Sequence, residues 1–331
     1  MSKVKVYTKV NKHYILDKDL NISRKLSRQC KILSEIKSYD IINDKYYGPK
    51  IYDFVKYVIS QNVNITHLCN NLKTLKIEVI DEKDFPFQNT LAYYNSTDNI
   101  ITFNGVFNES ILYHELFHVA SIYYSNDKTL LFGGFSYDNS SVESFRFGTG
   151  LNEGYTDKLQ NKFFGDNKIY NYEQFIAEKL EKLVGKEKLK QLYFEADLLG
   201  LISILEKYEK RDTIYEFIKN LDYIYNINCG NIEYNDNLKS IVEEKLVGIN
   251  QFLANCFIKK YIDDSTCFYK NKFELLRVLF DLPNGIKPGL YDVEFTINNM
   301  KMRKNVLSII AMEEKIQKGN SKYKCKKKLL K

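Results

Sequence analysis

Histidine is scarce in this chain: His13, His67, His114 and His118 are all it has in 331 residues. Proline is as rare, so breaks between domains are thinly marked. The six cysteines, at 30, 69, 229, 256, 267 and 325, include no C-x-x-C pair. Their scatter argues against a thiolate zinc knot. In a chain of this length it reads as reduced thiols of a cytoplasmic protein rather than a disulfide framework. Long apolar runs are missing too. The longest, "LLGLISIL" at 198–205, falls far short of the ~20 residues that span a bilayer. The opening "MSKVKVYTKVNKHYILD" has no continuous apolar stretch of the kind a secretion signal needs. No internal repeat is visible. The expectation is a cytoplasmic protein without a transmembrane segment.

What is present suits a globular protein large enough for one or two real cores. The net charge is +7, and much of the excess sits in the tail "KGNSKYKCKKKLLK" (318–331). That composition reads as a solvated end able to touch acidic surfaces. No nucleic-acid motif accompanies it, so no specific nucleic-acid partner is expected.

The hydrophobic pattern divides the chain into four parts. Residues 1–60 form a helical N-terminal segment, with apolar residues at three- and four-residue spacing in "ISRKLSRQCKILSEIKSY" and "KIYDFVKYVIS". Residues 61–125 hold strand-like stretches, "LKTLKIEVID", "LAYYN" and "NIITFN", the last two joined by a predicted hairpin turn. A helix follows from Asn108, its predicted N-cap, to about Tyr124. Residues 126–150 read as loop, with "FGGFS" and "FGTG" as punctuation. From Leu151 helices are expected to about Phe164, then over 171–184, 186–209, 211–226, 236–262, 270–281 and 302–317, with a late strand at "LYDVEFTIN". The third part is thus 126–317, mainly helical, and the fourth is the tail. The fold class is α+β: a small mixed sheet with a buried helix, then a mainly helical part.

Two of the four histidines lie four residues apart in "ESILYHELFHVAS" (109–121). Even counting all 42 acidic residues as Glu, His-Glu-x-x-His arises by accident roughly 0.006 times or fewer in such a chain. On a helix, positions four apart sit one turn up and about 40° round, so His114 and His118 face the same side. That is the geometry two imidazoles need to share one zinc ion. Glu115 points about 100° away from His114. It is badly placed to ligate but well placed to reach a water on the ion. The rest of the helix is apolar nearly all round, and burying these three side chains is costly unless they are paired or hold a metal. A catalytic zinc takes three protein ligands. With His13 and His67 at no useful spacing, the third is expected to be a carboxylate. "GTGLNEGYTDKL" (148–159) offers Glu153 and Asp157, four apart on one helix face. One carboxylate can bind the metal while the other holds a ligating histidine. Gly154 lies near that face, where a missing side chain is expected to let this helix approach the histidine helix.

HELFH followed by "NEGYTD" resembles the gluzincin zinc metallopeptidases, the clan of thermolysin. The resemblance covers about residues 90–160. It implies a zincin-like fold with the sheet and HExxH helix in 61–125 and the third ligand in 126–317. It implies one Zn2+ per chain on His114, His118 and Glu153, Asp157 as the partner of His114, and Glu115 as general base in peptide hydrolysis. It also implies an edge strand, Ala92, Tyr93 and Tyr94 here, that carries an extended peptide or protein substrate. The thermolysin-like branch has a transition-state histidine downstream of the glutamate ligand. This chain has no histidine after His118, which places it nearer the wider clan. A tyrosine is the expected substitute donor, neutral at pH 7: Tyr137 in the loop "GGFSYDNSS" is favoured, Tyr193 and Tyr208 are alternatives, and Tyr155 is expected in the core. The competing reading is a catalytically silent zinc-binding module whose partner is held and not cut.

Overall fold

The amphipathic spacing in the first part of the chain does form helices. The computed structural model describes residues 28–87, 90–139, 145–165, 170–230 and 237–263, with single positions 232, 235, 308, 311 and 315. A helix over 28–36 and one turn at Asp40–Asn43 lead into α1 (Gly48–Ser60). Its buried Ile51, Phe54, Val55, Val58 and Ile59 make the stripe that a 3.6-residue period creates. The short α2 (Thr66–Leu72) follows.

Strands β1 (Lys76–Ile80), β2 (Ala92–Asn95) and β3 (Ile100–Asn104) form a mixed sheet in the order β1-β3-β2. β1 runs parallel to β3, and β2 antiparallel to it. Among the described residues β2 is therefore an edge strand, as expected. Its hairpin turn is built by Asn95, whose side-chain oxygen accepts the Thr97 amide at 2.9 Å, and by Asn99 at a left-handed φ of 55°.

Next comes α3 (Glu109–Ser121), capped by Asn108, whose side chain accepts the Ile111 amide at 3.2 Å. It ends three residues earlier than its pattern suggested, because Ile122–Tyr124 leave it as a strand. The stretch expected to be loop is in fact a second sheet. Strands β4 (Ile122–Tyr124), β5 (Leu130–Gly133), β6 (Ser136–Asn139) and β7 (Phe145–Phe147) make an antiparallel meander in chain order. Of the glycines that looked like loop punctuation, one serves a turn of this sheet and two open the helix after it. Gly134, at φ 53°, opens the two-residue connection between β5 and β6. Strands of three or four residues are too short to show a two-residue alternation.

Helices complete the chain: α4 (Thr149–Phe164), α5 (Asn171–Val184), α6 (Lys186–Phe194), α7 (Leu198–Leu205), α8 (Arg211–Asn228) and α9 (Lys239–Asp263). The single helix expected over 186–209 is broken between α6 and α7. Ala196 takes a φ of 50°, and Asp197 caps α7 by accepting the Gly200 amide at 2.7 Å. Residues 1–27, the helix at 270–281, the strand at "LYDVEFTIN" and the tail 318–331 lie outside the described residues. Of the helix expected at 302–317, positions 308, 311 and 315 are described and helical.

The architecture is α+β and mainly helical. One connected apolar core runs from Ile36 to Ile258, so the division expected at 125/126 falls within a shared core. No helix among the described residues is long and apolar enough to cross a membrane.

Candidate metal centre

The site forms where α3 packs against α4. His114 and Glu115 are almost wholly buried, as a helix apolar on nearly every side requires. Gly154 does provide a close approach, but to a different helix. A Cβ there would stand 2.2 Å from the backbone carbon of Glu173, on α5, and not against α3. The glycine lets α5 press on the back of α4.

Three atoms converge between the helices. Nε2 of His114 is 3.1 Å from Nε2 of His118 and 3.1 Å from Oε2 of Glu153. His118 Nε2 is 3.3 Å from the same Glu153 oxygen. A tetrahedral ion with bonds of ~2.0–2.1 Å keeps its ligand atoms about 3.3 Å apart, so the triangle has the size such an ion needs. The tautomers agree. Nδ1 of His114 lies 3.0 Å from Oδ1 of Asp157, a carboxylate with no solvent exposure. Donation from Nδ1–H there leaves an Nε2 lone pair facing the triangle. The other Asp157 oxygen accepts the Tyr170 amide at 2.9 Å. Two ring nitrogens and a carboxylate oxygen at this separation repel unless a positive charge sits among them. His114, His118 and Glu153 are the group, among the described residues, able to hold a metal ion.

Without an ion, a proton takes the place of the positive charge in the triangle. Burial pulls the His114 pKa down, but hydrogen bonds to Asp157 and Glu153 outweigh it and hold the ring well above the ordinary histidine value. Burial would raise Glu153, yet the His118 charge and hydrogen bonds from both histidines hold it far below the usual carboxylate range. Glu115 is raised by burial, with His114 and His118 pulling partly against it.

Glu115 also touches the edge strand. The Asn104 amide donates to the Leu91 carbonyl at 2.9 Å. Alternation along an antiparallel pair then turns the amide groups of Ala92 and Tyr94 away from β3, toward the open edge. There the Tyr94 N–H faces the Glu115 carboxylate and draws its pKa down slightly against burial.

A cleft of about 640 Å³ opens over this cluster. Pro86, Phe87, Ala92, Tyr93 and Tyr94 line one side. Tyr137, Tyr170, Tyr225 and Cys229 line others. Thus His114, Glu115, His118, Glu153 and Asp157 come together, and Ala92, Tyr93 and Tyr94 border the same cleft. Tyr137 reaches it from strand β6 and not from a loop, with its ring 5.7 Å from that of Phe147. Tyr155 is core, as expected. Tyr193 is fully buried with its hydroxyl 2.6 Å from Thr156 Oγ1, which takes it out of contention as a cleft donor. Tyr208 is not among the lining residues. His67 stacks on Tyr123 at 4.5 Å and takes no part.

Sequence reasoning missed Tyr170, whose ring centroid is 5.9 Å from that of His114. It also missed the α8 residues. Asp222, Tyr225 and Cys229 follow one another at three- and four-residue spacing, a polar stripe readable as one helix face. Asp222 is pushed up to about 6 by burial, against the pull of two amides that it accepts. Comparison with protein-family models, with curated proteins and with solved structures finds no match.

Proposed function

We propose that this protein is a zinc-dependent peptidase of the gluzincin type, with a zincin-like arrangement of the mixed sheet and α3. The observation that carries the reading is the triangle of His114 Nε2, His118 Nε2 and Glu153 Oε2, with the buried Glu115 carboxylate beside it and an open strand edge above. Two imidazoles and one carboxylate favour zinc over magnesium or calcium, which prefer all-oxygen shells. In such a site the ion acidifies a water and draws charge from a carbonyl oxygen.

The chain's own groups do the rest. An extended peptide adds to the open edge of β2, pairing with the outward Ala92 N–H and the outward carbonyls of Ala92 and Tyr94. Glu115, its carboxylate steadied by the Tyr94 N–H, takes a proton from the attacking water and passes it to the leaving amine. Its raised pKa, the result of burial, brings it nearer to the value that serves both transfers. Asp157 keeps the His114 ring in register. A cleft tyrosine donates to the developing oxyanion. Burial raises the pKa of Tyr137, Tyr170 and Tyr225 alike, so each phenol keeps its proton at neutral pH. Tyr170 is favoured over Tyr137 because its ring lies against His114. On the β2 side the rim is aromatic. Phe87, half exposed, stands 5.0 Å from Tyr93, which suits large apolar side chains in the substrate.

Removing metal with a chelator and restoring it tests the reading. Hydrolysis of a mixed peptide library is expected to stop on chelation and return with about one zinc per chain. Cleavage that survives full metal removal would overturn it.

A further inference from the structure

The α4 helix begins without a cap of its own. Its N-cap is Gly148, which has no side chain to offer, and the first-turn amides of a partly buried helix need acceptors. A carboxylate from 74 residues away supplies them. Asp222, on α8, accepts the Gly148 amide through Oδ2 at 2.8 Å and the Gly150 amide through Oδ1 at 2.8 Å. These are charge-assisted bonds to the positive end of a helix dipole.

The glycines make the clamp possible. Gly148 sits at φ 85°, and a Cβ there would stand 2.1 Å from the Phe135 carbonyl oxygen. At Gly150 a Cβ would stand 2.9 Å from the Leu221 carbonyl oxygen, on α8 itself. The clamped turn then leads straight into the site. The Asn152 amide bonds the Gly148 carbonyl at 3.0 Å. The Asn152 side chain accepts the Phe135 amide at 3.1 Å and lies 3.4 Å from Nδ1 of His118. Glu153 is the next residue.

We propose that Asp222 is a positioning residue for the metal centre: from α8 it fixes the first turn of α4, and through that turn it fixes Glu153 and the Asn152 contact with His118. The role rests on the metal-centre reading above. It makes α8 a working part of the site, since one turn beyond Asp222 the same helix lines the cleft with Tyr225.

The test uses the full chain and three proteins: the parent, Asp222→Asn, and Leu201→Ala. The asparagine keeps the size but turns one acceptor into a donor facing an amide. Leu201 is fully buried on α7 and outside the cleft, so its loss reports general destabilisation alone. Zinc affinity is measured against a competing chelator at a temperature where all three are folded. Asp222→Asn is expected to bind zinc about 10–100-fold more weakly, the range of lost supporting contacts around a metal. Leu201→Ala is expected to melt earlier yet bind as the parent does. In the metal-free protein, Asp222→Asn is expected to speed amide exchange across 148–152. Parental zinc affinity in folded Asp222→Asn, or an equal loss in Leu201→Ala, overturns the proposal. Unchanged exchange overturns the clamp itself, whatever the metal does. A parent that takes up no zinc overturns the metal reading and this role with it, while the exchange result still reports on the clamp.

Discussion

On one side of the site, α3 carries His114, Glu115 and His118 within five consecutive residues. On the other, α8 and its C-cap bring Tyr225 and Cys229 to the same cleft and Asp222 to the start of α4, with no recognisable motif. Both helices pack against α4. The α3 residues are placed by helical periodicity, so a change there acts on the ion directly. The α8 residues are placed by packing between distant segments, so a change there acts through the position of α4. In the proposed reading, the chemistry sits in the first region and its orientation in the second.

Substitutions that separate the two regions follow, beginning with the largest effect. His118→Ala is expected to take bound zinc from about one per chain to almost none, as measured by elemental analysis. Equal zinc in both proteins would break the assignment of α3. Tyr170→Phe is expected to lower kcat by about 10²-fold with little change in KM, the sign of a bond made mainly in the transition state. If that loss falls on Tyr137→Phe instead, the donor belongs to the second sheet. Asp157→Ala is expected to weaken zinc by about 10–100-fold in chelator competition. An unchanged affinity would mean that its hydrogen bond to His114 does not orient the ring.

The smallest effect on the chemistry is expected at Glu173, on α5. Burial pushes its pKa up to about 7 from an ordinary 4.5. One carboxyl oxygen accepts from Asn228 at 2.9 Å, and the other is buried without a hydrogen-bond partner. Below pH 4.5 the folded and unfolded chains both hold this proton. Between 4.5 and 7 the unfolded chain releases it first, so stability falls as pH rises through that window, by up to about 3 kcal/mol. Glu173→Gln keeps the Asn228 bond and removes that fall. Thermal unfolding at pH 5 and pH 8 is expected to show a gain at pH 8 only, with zinc binding intact. A variant less stable than the parent at pH 8 would show that the ionised carboxylate is needed.

The legible and illegible parts of the chain divide along the same line. The His114/His118 pair, the Glu153/Asp157 pair and the Asn108 cap were readable because each lies within or at the start of one helix, where spacing fixes direction. The hairpin of β2 and β3 was readable from its turn residues. The second sheet was not, because its strands run three or four residues and its glycines resemble those of any loop. The break between α6 and α7 depends on a left-handed Ala196, a residue with no preference for that conformation. Gly154 was recognised as a close-packing position but matched to the wrong neighbour, since sequence shows the gap and not the helix that fills it. For Asp222 the sequence shows only its place in a polar stripe of α8. Its partners are backbone amides, which leave no mark in the sequence.

In the proposed mechanism a metal held by α3 and α4 works with Glu115 as the base. Comparing the parent with Glu115→Gln tests it most directly, through metal content and peptide hydrolysis on the same samples. About one zinc per chain is expected in both, with hydrolysis reduced by several orders of magnitude in the variant because proton acceptor and donor are lost together. Parental hydrolysis by a zinc-loaded Glu115→Gln would contradict it.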